Sequence, residues 1–459
     1  MTGRFNYDYS KTLWMKMYLA TPDFTRGVSD VKISFEEALG IIKTVDALTQ
    51  GIEKIVYLVG WQGLGHDDCY PEMHKVNDFL KRDCDRDGRE SLLWLIGEAK
   101  KFHTVVSVHG NLADEYGENE SHPEFVRESA IVKHPDGEPA VIEVFNGRNA
   151  YKISYKQFWE SGLFKKYWEK FLETVPVREA GTVHLDNFCI AENFCPRTTV
   201  EEQDAARNAI LDYIRGEGID VTSEYTYREL ELRSDEPSHP IRKFYAQHVD
   251  SLPVASWRDA PMRTLGRIPA TWWTSGVKPE ECLTVPPSLY SGHLTDGELG
   301  AVYYGAMHGE DIWMSRGIRT EDWTPAFLKE FCTYQLPYFY LNRYERTGLE
   351  KGEDGHYTAS FSEGVESRGS DRSIRKNGIL LKQGNDVILP LTEDDRLFIA
   401  YSENGRAGRW ELPDAAFTTC RIYEITPEGN RFLCTRTLEN GGLDLDLKPG
   451  RAVALEAGE

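Results

Sequence analysis

Eight short apolar runs, separated by segments of helical character, constrain this chain more than any other feature. They are Trp14–Ala20, Ile55–Trp61, Thr104–Asn111, Thr182–Phe188, Asp220–Tyr227, Leu252–Trp257, Gly300–His308 and Leu336–Tyr344. Between them fall amphipathic stretches, among them Ser34–Thr49, Ser91–Lys101, Ser154–Thr174, Thr199–Arg215 and Thr324–Thr333. Several open on a Ser or Thr with acids in the first turn, as in Ser34-Phe35-Glu36-Glu37 and Thr199-Val200-Glu201-Glu202. Such residues satisfy free backbone N–H groups and complement the helix dipole. Strand–helix units repeated in series bury both faces of a parallel sheet. Eight of them predict an α/β fold of the (β/α)8 TIM-barrel type over residues 1–356.

Past about Tyr357 the helical period stops and short alternating runs with turn signals take over. Examples are Gly378–Asn385, Arg396–Tyr401, Arg421–Ile425 and Ala452–Leu455. This predicts a C-terminal antiparallel β-sandwich domain over residues 357–459. No internal repeat and no long low-complexity linker separates the two domains.

Composition narrows the partners. A formal charge of −21 works against a nucleic acid or an anionic membrane, each of which needs a basic face. No stretch approaches the length and apolarity of a membrane span. The segment Met1-Thr2-Gly3-Arg4-Phe5-Asn6-Tyr7 lacks the basic-then-apolar pattern of a signal peptide, so a cytoplasmic location is expected unless the sequence begins after processing. Cysteines stand at 69, 84, 189, 195, 282, 332, 420 and 434 with no CxxC, which suits reduced thiols. Cys189 and Cys195 are near enough in sequence to pair. The oligomeric state is not legible.

In a barrel of this type the active site lies at the C-terminal ends of the strands. Two carboxylates sit there on successive strands: Asp186 in Thr182-Val183-His184-Leu185-Asp186 and Glu224 in Ile219-Asp220-Val221-Thr222-Ser223-Glu224-Tyr225. A pair of carboxylates is the minimum equipment for cleaving a glycosidic bond, and adjacent strand ends suit the shorter, retaining separation. Either acid alone could equally cap a helix or pair with an arginine. Around them, Gly60-Trp61-Gln62-Gly63-Leu64-Gly65-His66-Asp67 ends the second run, and Val108-His109-Gly110-Asn111 ends the third. Side chains alternate along a strand, so His109 and Asn111 share a face. Trp61, Trp257, Trp273 and Trp313 are candidate platforms for the C–H face of a sugar, and some of the chain's tryptophans must be plain core. His66 with Asp67 and Asp68 has no second His/Cys cluster to complete a metal site, so no metal and no cofactor is expected.

At these residues the sequence resembles a known family. Gly60-Trp61-Gln62 with Gly65-His66-Asp67 is similar to the "GWQ…GHD" stretch of the endo-α-N-acetylgalactosaminidases, family 101 of the glycoside hydrolases. His109-Gly110-Asn111 with Glu115-Tyr116 resembles that family's third strand, and Val183-His184-Leu185-Asp186 its fourth. Gly216-Glu217-Gly218-Ile219 followed by Ser223-Glu224-Tyr225 resembles its fifth. Gln335-Leu336-Pro337 with Tyr340-Leu341 is similar to a later element. The resemblance spans about residues 12–345. It implies a carbohydrate partner and hydrolysis of an α-linked N-acetylgalactosamine with retention, Asp186 as nucleophile and Glu224 as acid/base. Trp61, Gln62, His66, Asp67, His109, Asn111, Tyr225, Trp257, Trp273 and Trp313 are the residues expected to bind substrate.

The family's usual size and export signal are missing, and Glu118–Ile153 has no clear counterpart. Exo action, as in the related family 129, therefore stands beside endo release of the O-glycan core disaccharide. Outside this class, a carbohydrate-binding pseudoenzyme keeps the pocket without turnover, and a barrel lyase or isomerase would bring metal ligands or a lysine.

Overall fold

In the computed structural model, residues 6–7, 11–186, 188, 193–223, 306–307, 313 and 317–458 are described, apart from positions 342, 345, 352, 354–356 and 369. The chain divides into two compact units, residues 1–7, 15–40 and 55–255, and residues 8–14, 41–54 and 256–459.

The first unit is organised by strands β1 (Leu13–Tyr18), β2 (Lys54–Val59), β3 (Thr104–Asn111), β4 (Thr182–Asp186) and β5 (Asp220–Ser223), which lie side by side in the order β5-β4-β3-β2-β1. β4 pairs in parallel with both its neighbours. All six residues of β2 are buried, as a sheet covered on both faces requires. Helices fall between the strands, as parallel crossovers demand: α1 (Phe35–Leu48), α2 (Gly88–Ala99), α3 (Tyr155–Glu160), α4 (Leu163–Thr174) and α5 (Val200–Gly216). Asp87 caps α2 by accepting from the Glu90 N–H, and Thr199 with Glu202 closes a full capping box on α5. The helix expected over Ser154–Thr174 is two helices, because Gly162 takes φ 81° at their junction. Phe164, Trp168 and Phe171 of α4 form an aromatic stack on its buried side.

Among the described residues these five strands are the first unit's part of a six-stranded sheet. The run Leu252–Trp257 lies outside the described residues, and within Gly300–His308 Ala306–Met307 is a strand. The eighth expected strand is a correction. Thr320–Glu330 is an α-helix that continues through a π turn, Phe331–Gln335, into the helix Leu336–Leu341. Leu336, Phe339 and Tyr340 are buried at the i, i+3, i+4 spacing of a helix face, a pattern that an all-apolar run conceals.

The C-terminal antiparallel sheet is present. Its ten strands run from the edge strand Arg346–Lys351 to the opposite edge strand Gly429–Thr437. A second layer is supplied by the two-stranded ribbon Arg406–Glu411 and Gly442–Leu447. Trp410, Leu443, Leu445 and Leu447 of the ribbon pack on Ile388, Phe398, Ala400, Ile422 and Leu455 of the large sheet. The six described cysteines are free thiols, Cys195 among them. No described helix is long and apolar enough to cross a membrane.

Two connections of the first unit gather polar groups near the strand ends. The one after β2 folds onto the backbone after β1, where His66 donates its N–H to the Ala20 carbonyl at 2.8 Å. Gly60, at φ 74°, would put a Cβ 2.4 Å from that carbonyl oxygen, and Gly65, at φ 144°, one at 2.6 Å. Between β3 and α3 the chain inserts a three-stranded antiparallel sheet of Asp114–Tyr116, Arg148–Lys152 and Val141–Phe145. Its Glu115 is fully buried and bonded to His122 Nδ1 at 2.7 Å. Burial, and then the nearby charges of Glu72 and Glu118, push its carboxyl up to about 9.

Gly60→Ala is therefore expected to destabilise the protein by on the order of 1–3 kcal/mol or more. Gly40→Ala, on an exposed turn of α1 with nothing within 4 Å of its Cβ, should stabilise it by roughly 0.5–1 kcal/mol. Urea denaturation of both variants reads these opposite signs. Folded Glu115 keeps its proton up to about pH 9, whereas the unfolded chain releases it near the ordinary carboxylate value. The stability carried by that proton is whole at acid pH and drains away as pH climbs towards 9. Glu115→Gln, a neutral isostere, should gain stability over the wild type progressively from pH 5 to 9; parallel urea midpoints across that range would count against the buried neutral acid.

Candidate active site

The β3–β4 register sets His109 opposite His184 and Asn111 opposite Asp186, and the β4–β5 register sets Thr222 opposite His184. One row of the sheet is thus His109, His184 and Thr222, all buried. His184 Nδ1 and the Thr222 hydroxyl lie 2.7 Å apart, and the His109 and His184 rings are 5.4 Å apart. At the end of β4 the Asp186 side chain, 17% exposed, turns Oδ2 to within 3.8 Å of His109 Nε2.

The connection after β2 brings further polar groups to the same place. The His66 ring meets that of His109 edge-on at 5.3 Å and lies 5.4 Å from the Tyr18 ring, at the end of β1. Asp67, at φ 58°, holds Oδ2 3.5 Å from His66 Nε2. The buried Tyr70 hydroxyl is 3.3 Å from His109 Nδ1. Burial, and then the charges of Asp67 and Asp186, hold that phenol well above its usual range. Tyr116, 6.3 Å from Tyr70 between rings, is held high by burial and then by Asp67 and Asp114. Both phenols are therefore neutral O–H groups beside carboxylates. Imidazoles, carboxylates and phenols gathered at strand ends supply donors and acceptors in both senses, which is what a polyhydroxylated ligand needs.

The expected site residues divide into two kinds. His66, Asp67, His109 and Asp186 come together. Trp61, Gln62 and Asn111 stand beside them as supports. Trp61 is wholly buried against Phe171, 6.0 Å between rings, and donates its indole N–H to the His109 carbonyl at 2.8 Å. Its faces belong to the core, a correction to the sugar platform expected from its strand-end position. Gln62 spends its amide N–H groups on the carbonyls of Gly65 and Asp68, both at 3.2 Å, and so ties the loop closed. Asn111 accepts from the N–H groups of Ala113 and Asp114 and donates to the Asp114 carboxylate at 2.6 Å. It builds the turn into the inserted sheet. Trp313, in the second unit, is buried edge-on against Trp323 at 5.6 Å, so it too is packed as core. Glu224, Tyr225, Trp257 and Trp273 lie outside the described residues.

Tyr18 and Tyr70 are the additions that sequence reasoning did not name. Tyr18 closes an apolar strand, and Tyr70 stands before a proline in the Gly-rich loop; both signals are legible but unspecific. The inserted sheet also reaches the site. At the tip of its hairpin Asn146 donates to the His66 carbonyl at 3.4 Å. Arg148 donates to Asp68 at 3.2 Å while its guanidinium lies 3.4 Å over the Phe24 ring.

A hollow of about 760 Å³ is lined by Gly63 and Leu64 of the same loop together with His74, Phe79 and Arg89. Its Arg89 is spent on the carbonyls of Glu173 and Thr174, and its Asp87 caps α2. Among the described residues no group of three His, Cys, Asp or Glu side chains is arranged to hold a metal.

Known proteins are similar to parts of this chain. Residues 25–234 match the family model described as endo-α-N-acetylgalactosaminidase. No protein in the curated set matches the sequence. Among solved structures, the α-N-acetylgalactosaminidase NagBb from Bifidobacterium bifidum, as a quadruple mutant, aligns with TM-score 0.50 and 13% identity over 80% of this chain. The chain spans 57% of the length of that protein. An α-amylase from Lactobacillus plantarum aligns with TM-score 0.40 and 12% identity over 98% of this chain and 100% of its own. The family match covers α1 to β5 and every described strand-end residue named above except Tyr18, so the stretch that carries the site is similar to the endo-α-N-acetylgalactosaminidase family of glycoside hydrolases.

Proposed function

We propose that this chain completes a (β/α)8 barrel and hydrolyses α-linked N-acetylgalactosamine with retention, releasing the core disaccharide of O-glycans by endo action. The observation that carries the reading is the register of β4 and β5. Asp186 ends β4, Ser223 pairs with Leu185, and Glu224 is the next residue in sequence after Ser223. Strands about 4.8 Å apart suit the roughly 5–5.5 Å between carboxylates that retention uses.

In this mechanism Asp186 attacks the anomeric carbon while Glu224 protonates the departing oxygen. Glu224 then takes a proton from water, which displaces Asp186 and frees the sugar. Asp186 must be ionised when it attacks, and Glu224 must hold a proton at that moment. His66 and Asp67 supply hydrogen bonds to the sugar's hydroxyls, and the neutral phenols of Tyr70 and Tyr116 close the floor beneath them. The family match over 25–234 supports the choice of sugar.

The test is hydrolysis of para-nitrophenyl α-N-acetylgalactosaminide and of its β1,3-galactosyl disaccharide counterpart. Release from the disaccharide alone is expected, with the α anomer formed first by proton NMR. Release from the monosaccharide would replace endo by exo action. Asp186→Asn and Glu224→Gln should each lower kcat by on the order of 10⁴-fold, the size of loss when one member of a catalytic set is removed. Turnover of neither substrate by folded protein would overturn the substrate assignment. Binding of the disaccharide without turnover would leave a carbohydrate-binding protein in its place.

A further inference from the structure

The His109 imidazole is held on several sides. The β3–β4 register seats it beside His184, and the edge-on His66 ring lies 5.3 Å away. Trp61 anchors the backbone of the same residue through its carbonyl. Its two ring nitrogens then meet different neighbours, the Tyr70 hydroxyl at 3.3 Å from Nδ1 and the Asp186 carboxylate at 3.8 Å from Nε2. In a neutral imidazole, the hydrogen bond at one nitrogen decides which of the two carries the proton. Tyr70 is buried between the charges of Asp67 and Asp186 and keeps its own proton. A phenol O–H donated to Nδ1 makes that nitrogen the acceptor and puts the ring proton on Nε2, the side of Asp186.

We propose that His109 is a positioning residue for Asp186: Tyr70 fixes its tautomer, and its Nε2–H orients the carboxylate and favours its ionised form. The proposal rests on the reading of Asp186 as the nucleophile. The separation fits the task. At 3.8 Å the donor stands beyond the roughly 2.9 Å of a formed N–H···O bond, so the carboxylate is steered without being tied up. When the ester between Asp186 and the sugar breaks, negative charge returns to a carboxylate that already faces a donor. Among the described residues, the titratable groups set against His109 are His66 and Tyr70 from the loop after β2, and His184 and Asp186 from β4. His184 is engaged by Thr222 through Nδ1, so it does not compete for the same carboxylate through that nitrogen.

The experiment uses His109→Ala, His109→Gln and Tyr70→Phe in the full chain, assayed across pH beside Asp186→Asn. For His109→Ala, kcat should fall on the order of tenfold, the weight of a weak polar contact to the carboxylate. KM should change little, and the acidic limb of kcat/KM should move to higher pH because Asp186 takes a proton more readily. The Gln variant retains an N–H donor and should recover part of the loss. Tyr70→Phe frees the tautomer and should lose about tenfold, with the acidic limb displaced in the same direction.

A raised KM with kcat and the acidic limb unchanged in both His109→Ala and Tyr70→Phe would overturn the proposal and make the imidazole a substrate ligand. Melting curves separate these effects from unfolding; if His109→Ala does not fold, Tyr70→Phe decides alone. Activity surviving in Asp186→Asn would remove the nucleophile assignment itself. An inactive Asp186→Asn beside an undisturbed acidic limb in the other variants would remove only the role of His109.

Discussion

Parallel pairing of β3, β4 and β5 in one register is the constraint on which the rest of the first unit depends. It sets His109, His184 and Thr222 in a single buried row and brings Asp186 to the edge just beyond. A slip of one residue would turn every one of these side chains to the opposite face. Buried polar groups are costly unless hydrogen-bonded, and here one nitrogen of each imidazole has a partner. Thr222 engages His184, and Tyr70 engages His109 from the loop above. The register therefore fixes both where the polar groups stand and which nitrogen each imidazole turns to which neighbour.

The loop after β2 shows why residue type alone misleads about role. Gly60 and Gly65 press against the Ala20 carbonyl, at approaches that a Cβ would forbid. Once the backbone is that close, Gln62 finds its partners inside the loop and Trp61 faces inward against Phe171. The polar surface left towards the strand ends is carried by His66 and Asp67. The largest side chain of the loop serves as frame, and the smaller polar ones serve as lining.

Much of this is legible in the sequence, and the reasons are local. The runs Ile55–Trp61 and Thr104–Asn111 coincide closely with β2 and β3, because continuous apolar residues bounded by Gly or Pro have few other uses at that length. Thr199-Val200-Glu201-Glu202 marks the start of α5 because a capping box is a chemical signature. Leu336–Tyr344 misleads because its first six residues are all apolar and carry no period, and only the preceding helix decides its state. Trp61 and Asn111 stand at the expected place in the fold. Whether such a side chain meets ligand or framework depends on contacts across the chain, with Phe171 and with the turn into the inserted sheet, that no spacing rule encodes.

The hairpin Val141–Lys152 belongs to a different connection from the loop it braces, yet Asn146 and Arg148 at its tip hold that loop at His66 and Asp68. Its edge is otherwise solvent-facing, with Val141 and Val144 exposed. The brace on the loop and the strand ends below it therefore come from different stretches of chain. Lengthening or reshaping the hairpin beyond Arg148 alters the rim without disturbing the strand register below, so the room offered to an incoming molecule can diverge among relatives while the chemistry beneath it stays put.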